Sequence, residues 1–400
     1  MRHRFSHHFL LIVSLMLASF QSSAARAGDT VTRTGANDPS TDPATLQELL
    51  DNPDVSTLEL RGTWRLDGDQ AVTVTRSVEI VGAAGEEPAT IRGSSDSFGA
   101  GIRIGPFDGT VRGVRVANLR FRYLHSPIEA TPGWQADENC DFVTTDGLLV
   151  GLEVESCEFE DVPRGPEIYG DTRNLRIEDN VIGVGSDSPG KPVSVAIQGS
   201  STRCTDTEGG SLLIPHGPVV GGTVRGNEMT GAAPFLVRAR RLTFVDNSVR
   251  DVVVGQPAGL VVQDAEDVQV VGNRISGIRF PPPAVGIAVL GAVPGVQVVR
   301  NEIEDVDAGI GLLSATGAAV ANNRFHVRSN EYFIGPFVGT NSRSGLPSCD
   351  NQIIAGGGEG TRVLDLNTVP CADIGAEPNR FLGGFQRLLE MPGGPINLNP

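Results

Sequence analysis

Over 400 residues, 48 acidic side chains stand against 32 basic ones, a formal net charge of −16. A surface of that sign repels nucleic acid and anionic membrane, and it suits an acidic polymer only where a local basic groove or bound cations offset it. Aromatic residues make up 5 % of the chain, which argues against an extended platform for stacking sugars.

Residues 1–27 read as an export signal. Arg2 and Arg4 precede an apolar run from Phe9 to Phe20 that is too short to span a bilayer, and Ala25-Arg26-Ala27 offers small residues for cleavage before Gly28. The expected destination is secreted or periplasmic, with no membrane span. Export permits disulfides. Of the five cysteines, Cys157 falls at an interior repeat position and reads as a buried free thiol. That leaves Cys140 with Cys204 and Cys349 with Cys371 as pairs, with other pairings open.

Residues 28–57 form an N-terminal segment with a capping helix. Asp42 and Pro43 suit an N-cap and first turn, and Leu46, Leu49 and Leu50 make one apolar face that would cover an open first coil. Leu58-x-Leu60 and Val78-x-Ile80 read as the opening strands.

From 58 to 381 one phrase recurs, Asn-x-apolar. It stands at Asn180, Asn227, Asn247, Asn273, Asn301, Asn323, Asn351 and Asn379, at intervals of 20 to 28 residues save one of 47 that holds an insertion. An apolar residue sits three places before most of these: Ile177, Val224, Phe244, Val270, Val298 and Val320. Cys157 takes the Asn place in an earlier unit. A third apolar pair, such as Leu260-x-Val262 or Ile287-x-Val289, precedes the next unit. Alternation of two is the strand period, and three short strands per unit describe a β-solenoid coil. Asn at a recurring corner can bond the coils on both sides and tolerates a left-handed backbone. The rival, a leucine-rich repeat, fits less well, because the apolar places hold Val and Ile and no convex helical segment follows the corner. Residues 382–400 are left as a C-terminal cap and tail, with Phe385 to Met391 as the capping segment.

The layout resembles the pectin-lyase-like proteins. The expected fold is therefore all-β, a single-stranded right-handed parallel β-helix with three strands per coil and an N-terminal capping helix. The sequence lacks a Trp-Ile-Asp-His-like segment and an Arg-x-Pro-x-x-Arg, and it lacks the Asn-Thr-Asp, Asp-Asp, Gly-His-Gly and Arg-Ile-Lys set. The repeat therefore speaks to fold and leaves the reaction open.

The resemblance implies that substrate lies along the outer face of the strand about thirteen residues before the Asn corner. Alternation points Arg103, Glu129, Glu167, Tyr169, Gln198, Arg238 and Gln263 outward there, and farther along Ala288, Leu290, Gly311 and Leu313. Two insertions, near Thr131 to Thr144 and Gly199 to Pro218, flank the polar half. His125, Arg164 and Lys191 form a basic edge opposite. The expected function is a polysaccharide lyase or hydrolase working in this cleft. Glu129, Glu167, Tyr169, Arg164, His125 and Lys191 are its catalytic candidates, and Arg103, Gln198 and Arg238 its substrate contacts. A lyase would draw its base from His125, Arg164 or Lys191, with Tyr169 as proton donor. A hydrolase would pair Glu129 with Glu167 or Asp171. Asp137, Glu138, Asp141 and Asp171 suit Ca²⁺, which prefers oxygen ligands; the cofactor is otherwise unassigned. The alternatives are a non-catalytic glycan-binding solenoid and a structural or interaction protein using the apolar half.

Overall fold

The computed structural model describes residues 28–327, except for short stretches of which 137–141, 186–191, 200–202, 206–210, 214–216 and 280–283 are the main ones; beyond 327 it describes strand backbones alone. The expected export signal, residues 1–27, lies outside the described residues. The chain is a right-handed parallel β-helix whose strands stack in three ladders. The first ladder holds the strands before the Asn corner, among them Leu148–Glu155, Thr172–Glu178, Val220–Arg225 and Arg240–Val245. The second holds those after it, such as Glu158–Val162, Val181–Val184, Glu228–Ala232 and Ser248–Val254. The third is a sheet of ten strands running from Val72–Val74 to Phe337–Thr340, and it carries the candidate site.

The register explains why the apolar places recur. Val154, Ile177, Val224, Phe244, Val270, Val298 and Val320 pair one above the next along the first ladder. All are fully buried. Each such side chain contributes about 1.5–3 kcal/mol by leaving water, and β-branched residues suit the pleated stack. Phe121 and Phe159 stack with ring centroids 5.0 Å apart in the same core.

At the corner the asparagines form a continuous column. Asn273 Nδ2 donates to Asn301 Oδ1 at 2.9 Å and to the Phe244 carbonyl at 2.9 Å, and the Asn273 backbone N–H donates to Asn301 Oδ1 at 2.9 Å. Equivalent bonds link Asn180 to Asn227, Asn227 to Asn247, Asn247 to Asn273 and Asn301 to Asn323. Cys157 occupies the corner before Asn180, where its backbone N–H donates to Asn180 Oδ1 at 2.9 Å. It is free and buried, and burial pushes its thiol up to about 12.

Helix α1 spans Asp42–Asp51, with Leu46 and Leu50 in the core. Asp42 does not serve as its N-cap, which is Thr41. The Asp42 carboxylate turns back instead and accepts the backbone N–H groups of Ala36, Asp38 and Arg65, each at 2.9 Å. A strand unforeseen from sequence, Asp29–Ala36, precedes the helix and pairs in parallel with Val55–Arg65. At the far end, Phe385–Met391 is a strand that pairs with Thr361–Asp365 and Gly394–Asn397. Among the described residues no helix is long and apolar enough to cross a membrane.

Candidate functional site

Two outward rows run along the third ladder. The first stacks Arg103, Glu129, Glu167, Ala196, Phe235, Val261 and Ala288. The second stacks Tyr169, Gln198, Val237, Gln263 and Leu290. Successive coils lie about 4.8 Å apart, so Arg103, Glu129 and Glu167 are next neighbours.

Glu167 is the hub. Its Oε1 accepts from Tyr169 Oη at 2.5 Å and from Arg164 Nη1 at 3.0 Å, and its Oε2 accepts from Ser126 Oγ at 2.6 Å. The residue is only 1 % exposed. A buried carboxylate survives only when it is paired and hydrogen-bonded, and three donors meet that condition. Tyr169 is buried beside it. One coil back, Arg103 Nε lies 3.3 Å from Glu129 Oε2, and the Glu129 side chain keeps 23 % of its surface in solvent.

The electrostatics separate these groups. Burial pushes the Glu129 carboxyl above the usual range; Glu167 adds to the shift, while Arg103 opposes it. Burial and the Arg164 guanidinium push the His125 imidazole down. Burial holds the Tyr169 phenol well above its ordinary value, reinforced by Glu167. Burial works against the charge on Arg164, yet Glu167, Tyr169 and Glu129 together outweigh it and raise its pKa. The cluster therefore offers a carboxyl that holds its proton longer than usual, together with an imidazole that gives its proton up more readily than usual and two guanidiniums.

The structure brings Glu129, Glu167, Tyr169, Arg164, His125 and Arg103 into one cluster, with Gln198 half-buried two coils beyond Glu129. Two expectations need correction. Glu167 lies in the outward row but is covered, because its carboxylate is taken up by three neighbours. Arg238 is not in the row; Val237 is, and Arg238 follows in a turn with φ 50°. Ser126 was not foreseen. The register shifts just before it, between Gly99 and Ala100, so strict alternation fails there. Lys191, Asp137, Glu138 and Asp141 lie outside the described residues, as do the side chains of Cys140, Cys204, Cys349 and Cys371. Asp171, the one described member of the acidic set, is half-buried against Gly217, and burial raises its carboxyl. No group of three metal-ligating side chains occurs among the described residues. A groove of 390 Å³ on the second ladder, around Val181 and Gly183, is rimmed by charges that already have partners, including Glu228 with Arg250.

No protein-family model matches the chain and no curated protein is similar to it. Among solved structures, the Streptococcus pneumoniae surface protein and adhesin PfbA is 10 % identical, with 90 % of this chain and 100 % of that one covered and a TM-score of 0.48. The endo-xylogalacturonan hydrolase from Aspergillus tubingensis is 11 % identical, with 91 % and 95 % covered and a TM-score of 0.46. Bacteriophage CBA120 tailspike protein 3 is 12 % identical with a TM-score of 0.37; 91 % of this chain matches 61 % of that one, so this chain spans less than two thirds of its length. These likenesses carry nothing about activity.

Proposed function

We propose that the chain is an exported protein that acts on a polysaccharide laid across the polar part of the third ladder, with Glu129 passing the proton. The observation that carries this reading is the contrast between neighbouring carboxyls. Glu167 is buried and held by three donors, while Glu129 is partly exposed, beside Arg103, with a raised pKa. Environments that separate two adjacent acids mark acid–base assignments. Glu129 is the proton donor to the departing sugar oxygen, a step that hydrolysis and elimination share. Arg103 and Gln198 contact the glycan. Glu167 is a positioning residue that fixes Tyr169, Arg164 and Ser126 and favours the protonated form of Glu129.

A second reading is glycan binding without turnover. It is favoured by the full engagement of Glu167, which leaves Glu129, partly exposed beside Arg103, as the carboxyl that the described cluster offers where the paired-carboxylate mechanism uses two. The test is a panel of uronate-containing and neutral polysaccharides, with and without Ca²⁺, followed by new reducing ends and by the ultraviolet absorbance of unsaturated ends. Turnover that falls by about 100-fold in Glu129→Gln, at unchanged melting temperature, supports the acid–base role. Binding without turnover supports the second reading, and full activity in Glu129→Gln removes this cluster from the chemistry.

A further inference from the structure

The turn that leaves the third ladder after Val237 breaks a rule that its neighbours keep. Register stacks Gly170, Gly199, Arg238, Asp264 and Gly291 at one place in successive coils. It stacks Asn174, Gly221, Arg241, Asp267 and Gly295 at another. Nearly all of these residues have a left-handed backbone, with φ of 50° at Arg238, 47° at Asp264, 52° at Arg241 and 53° at Asp267. Gly, Asn and Asp adopt that conformation readily and arginine does not. The bend at Arg238 and the start of the strand Arg240–Val245 therefore place arginine twice where the coils on either side use Gly, Asn or Asp; elsewhere Arg300 does so singly. Residues held in disfavoured backbone regions tend to collect at binding sites.

Charge pairing among the described residues does not account for these arginines. Asp264 and Asp267 follow one coil on, but their carboxylates lean toward the next coil, where each Oδ1 stands where a side chain at Gly291 or Gly295 would begin. Asp264 Oδ1 accepts there from the Ala292 backbone N–H at 3.2 Å. Arg240, between the two, pairs with Glu266 at 3.1 Å. Among the described residues no side chain forms an ion pair or hydrogen bond with the guanidinium of Arg238 or Arg241. All three arginines are exposed on a chain of net charge −16. Arg238 and Arg240 open onto a notch of 380 Å³ whose other walls are Gly199, Pro218 and Asp264.

We propose that the turn from Val237 to Arg241 is an anion site that grips a carboxylate or sulfate group of the glycan. A guanidinium presents a planar fork that matches either group with two parallel hydrogen bonds. The turn lies three coils from Glu129, about 14 Å along the helix axis, so one oligosaccharide along this face reaches both. The proposal rests on the glycan reading of the third ladder and adds to it the charge of the substrate.

The experiment measures affinity of the full chain for three oligosaccharides of equal length: an oligouronate, its carboxyl-reduced neutral form, and a sulfated form. Wild type, Arg238→Asn/Arg241→Asn and Glu129→Gln are compared. Wild type is expected to bind a charged oligosaccharide about tenfold more tightly than the neutral one, and which charged form gains identifies the group. The double variant loses that preference while its melting temperature stays equal or rises; Glu129→Gln keeps it. A wild type without charge preference, or a double variant that retains it, overturns the site. Failure of the acid–base reading shows instead as unchanged turnover in Glu129→Gln, and leaves the charge preference standing.

Discussion

The Asn corner and the outer face of the third ladder are built on the same coils and follow opposite rules. At the corner one residue type repeats from Asn180 to Asn323, each side chain bonded to the next. On the outer face the row runs Arg103, Glu129, Glu167 and then Ala196, Phe235, Val261, Ala288. A buried polar group must find its partner in the adjacent coil, so identity propagates along the stack. A side chain facing water has no such obligation, and its identity is free to serve a ligand. Glu167 is the exception that joins the two regimes: it stands in the outer row yet is buried and fully bonded like a corner residue.

Four variants sharpen this contrast, in descending order of effect per site. Arg164→Ala leaves the buried Glu167 carboxylate without its cation, and urea unfolding is expected to show a loss of roughly 3 kcal/mol. A smaller loss than for an exposed ion pair would place Glu167 with ordinary surface acids. Asn273→Ala strands the backbone N–H of Asn247 and the carbonyl of Phe244; the expected loss is about 2 kcal/mol, with glycan affinity untouched. Arg238→Asn/Arg241→Asn relieves two left-handed arginines, and stability is expected to rise by up to about 1 kcal/mol per site.

Glu129→Gln has the smallest effect, within about 0.5 kcal/mol at mildly acidic pH, and its signature is pH dependence. The raised folded pKa means that between the ordinary carboxylate range and that raised value the folded chain binds more protons than the unfolded one. Wild-type stability therefore falls as pH rises through this window, and the Gln variant lacks that part of the decline. Thermal scans across pH that superimpose for the two proteins would show that Glu129 titrates like a free acid. Cys157 supplies a control in the interior: with its thiol pushed up to about 12, it is expected to resist alkylation until the chain unfolds.

Much of this was legible in the sequence because it repeats. The apolar column from Val154 to Val320 and the Asn corner have fixed spacing, and Cys157 could be placed inside by the same frame. Period-two alternation also brought Glu129, Glu167 and Tyr169 to one face. What was hidden depends on contacts across coils. Ser126 and Glu167 are 41 residues apart and meet where the register slips. The strand Asp29–Ala36 reads Asp-Thr-Val-Thr-Arg-Thr-Gly-Ala, largely exposed and without an apolar alternation to announce it. Asp42 looked like a cap because caps and back-turned tethers use the same residue type. The turn at Arg238 was concealed because an outward arginine gives no sign of its backbone conformation.

The measurement that bears most directly on the central claim sets the two halves of the outer face against each other. On a polysaccharide that the wild type turns over, kcat/KM is compared for Glu129→Gln, in the polar half, and Leu290→Glu, in the apolar half. A fall of about 100-fold is expected in the first and no change in the second, with both variants folded by circular dichroism. Full activity in Glu129→Gln together with a loss in Leu290→Glu would contradict the acid–base role of Glu129, and would place the chemistry on the apolar strip.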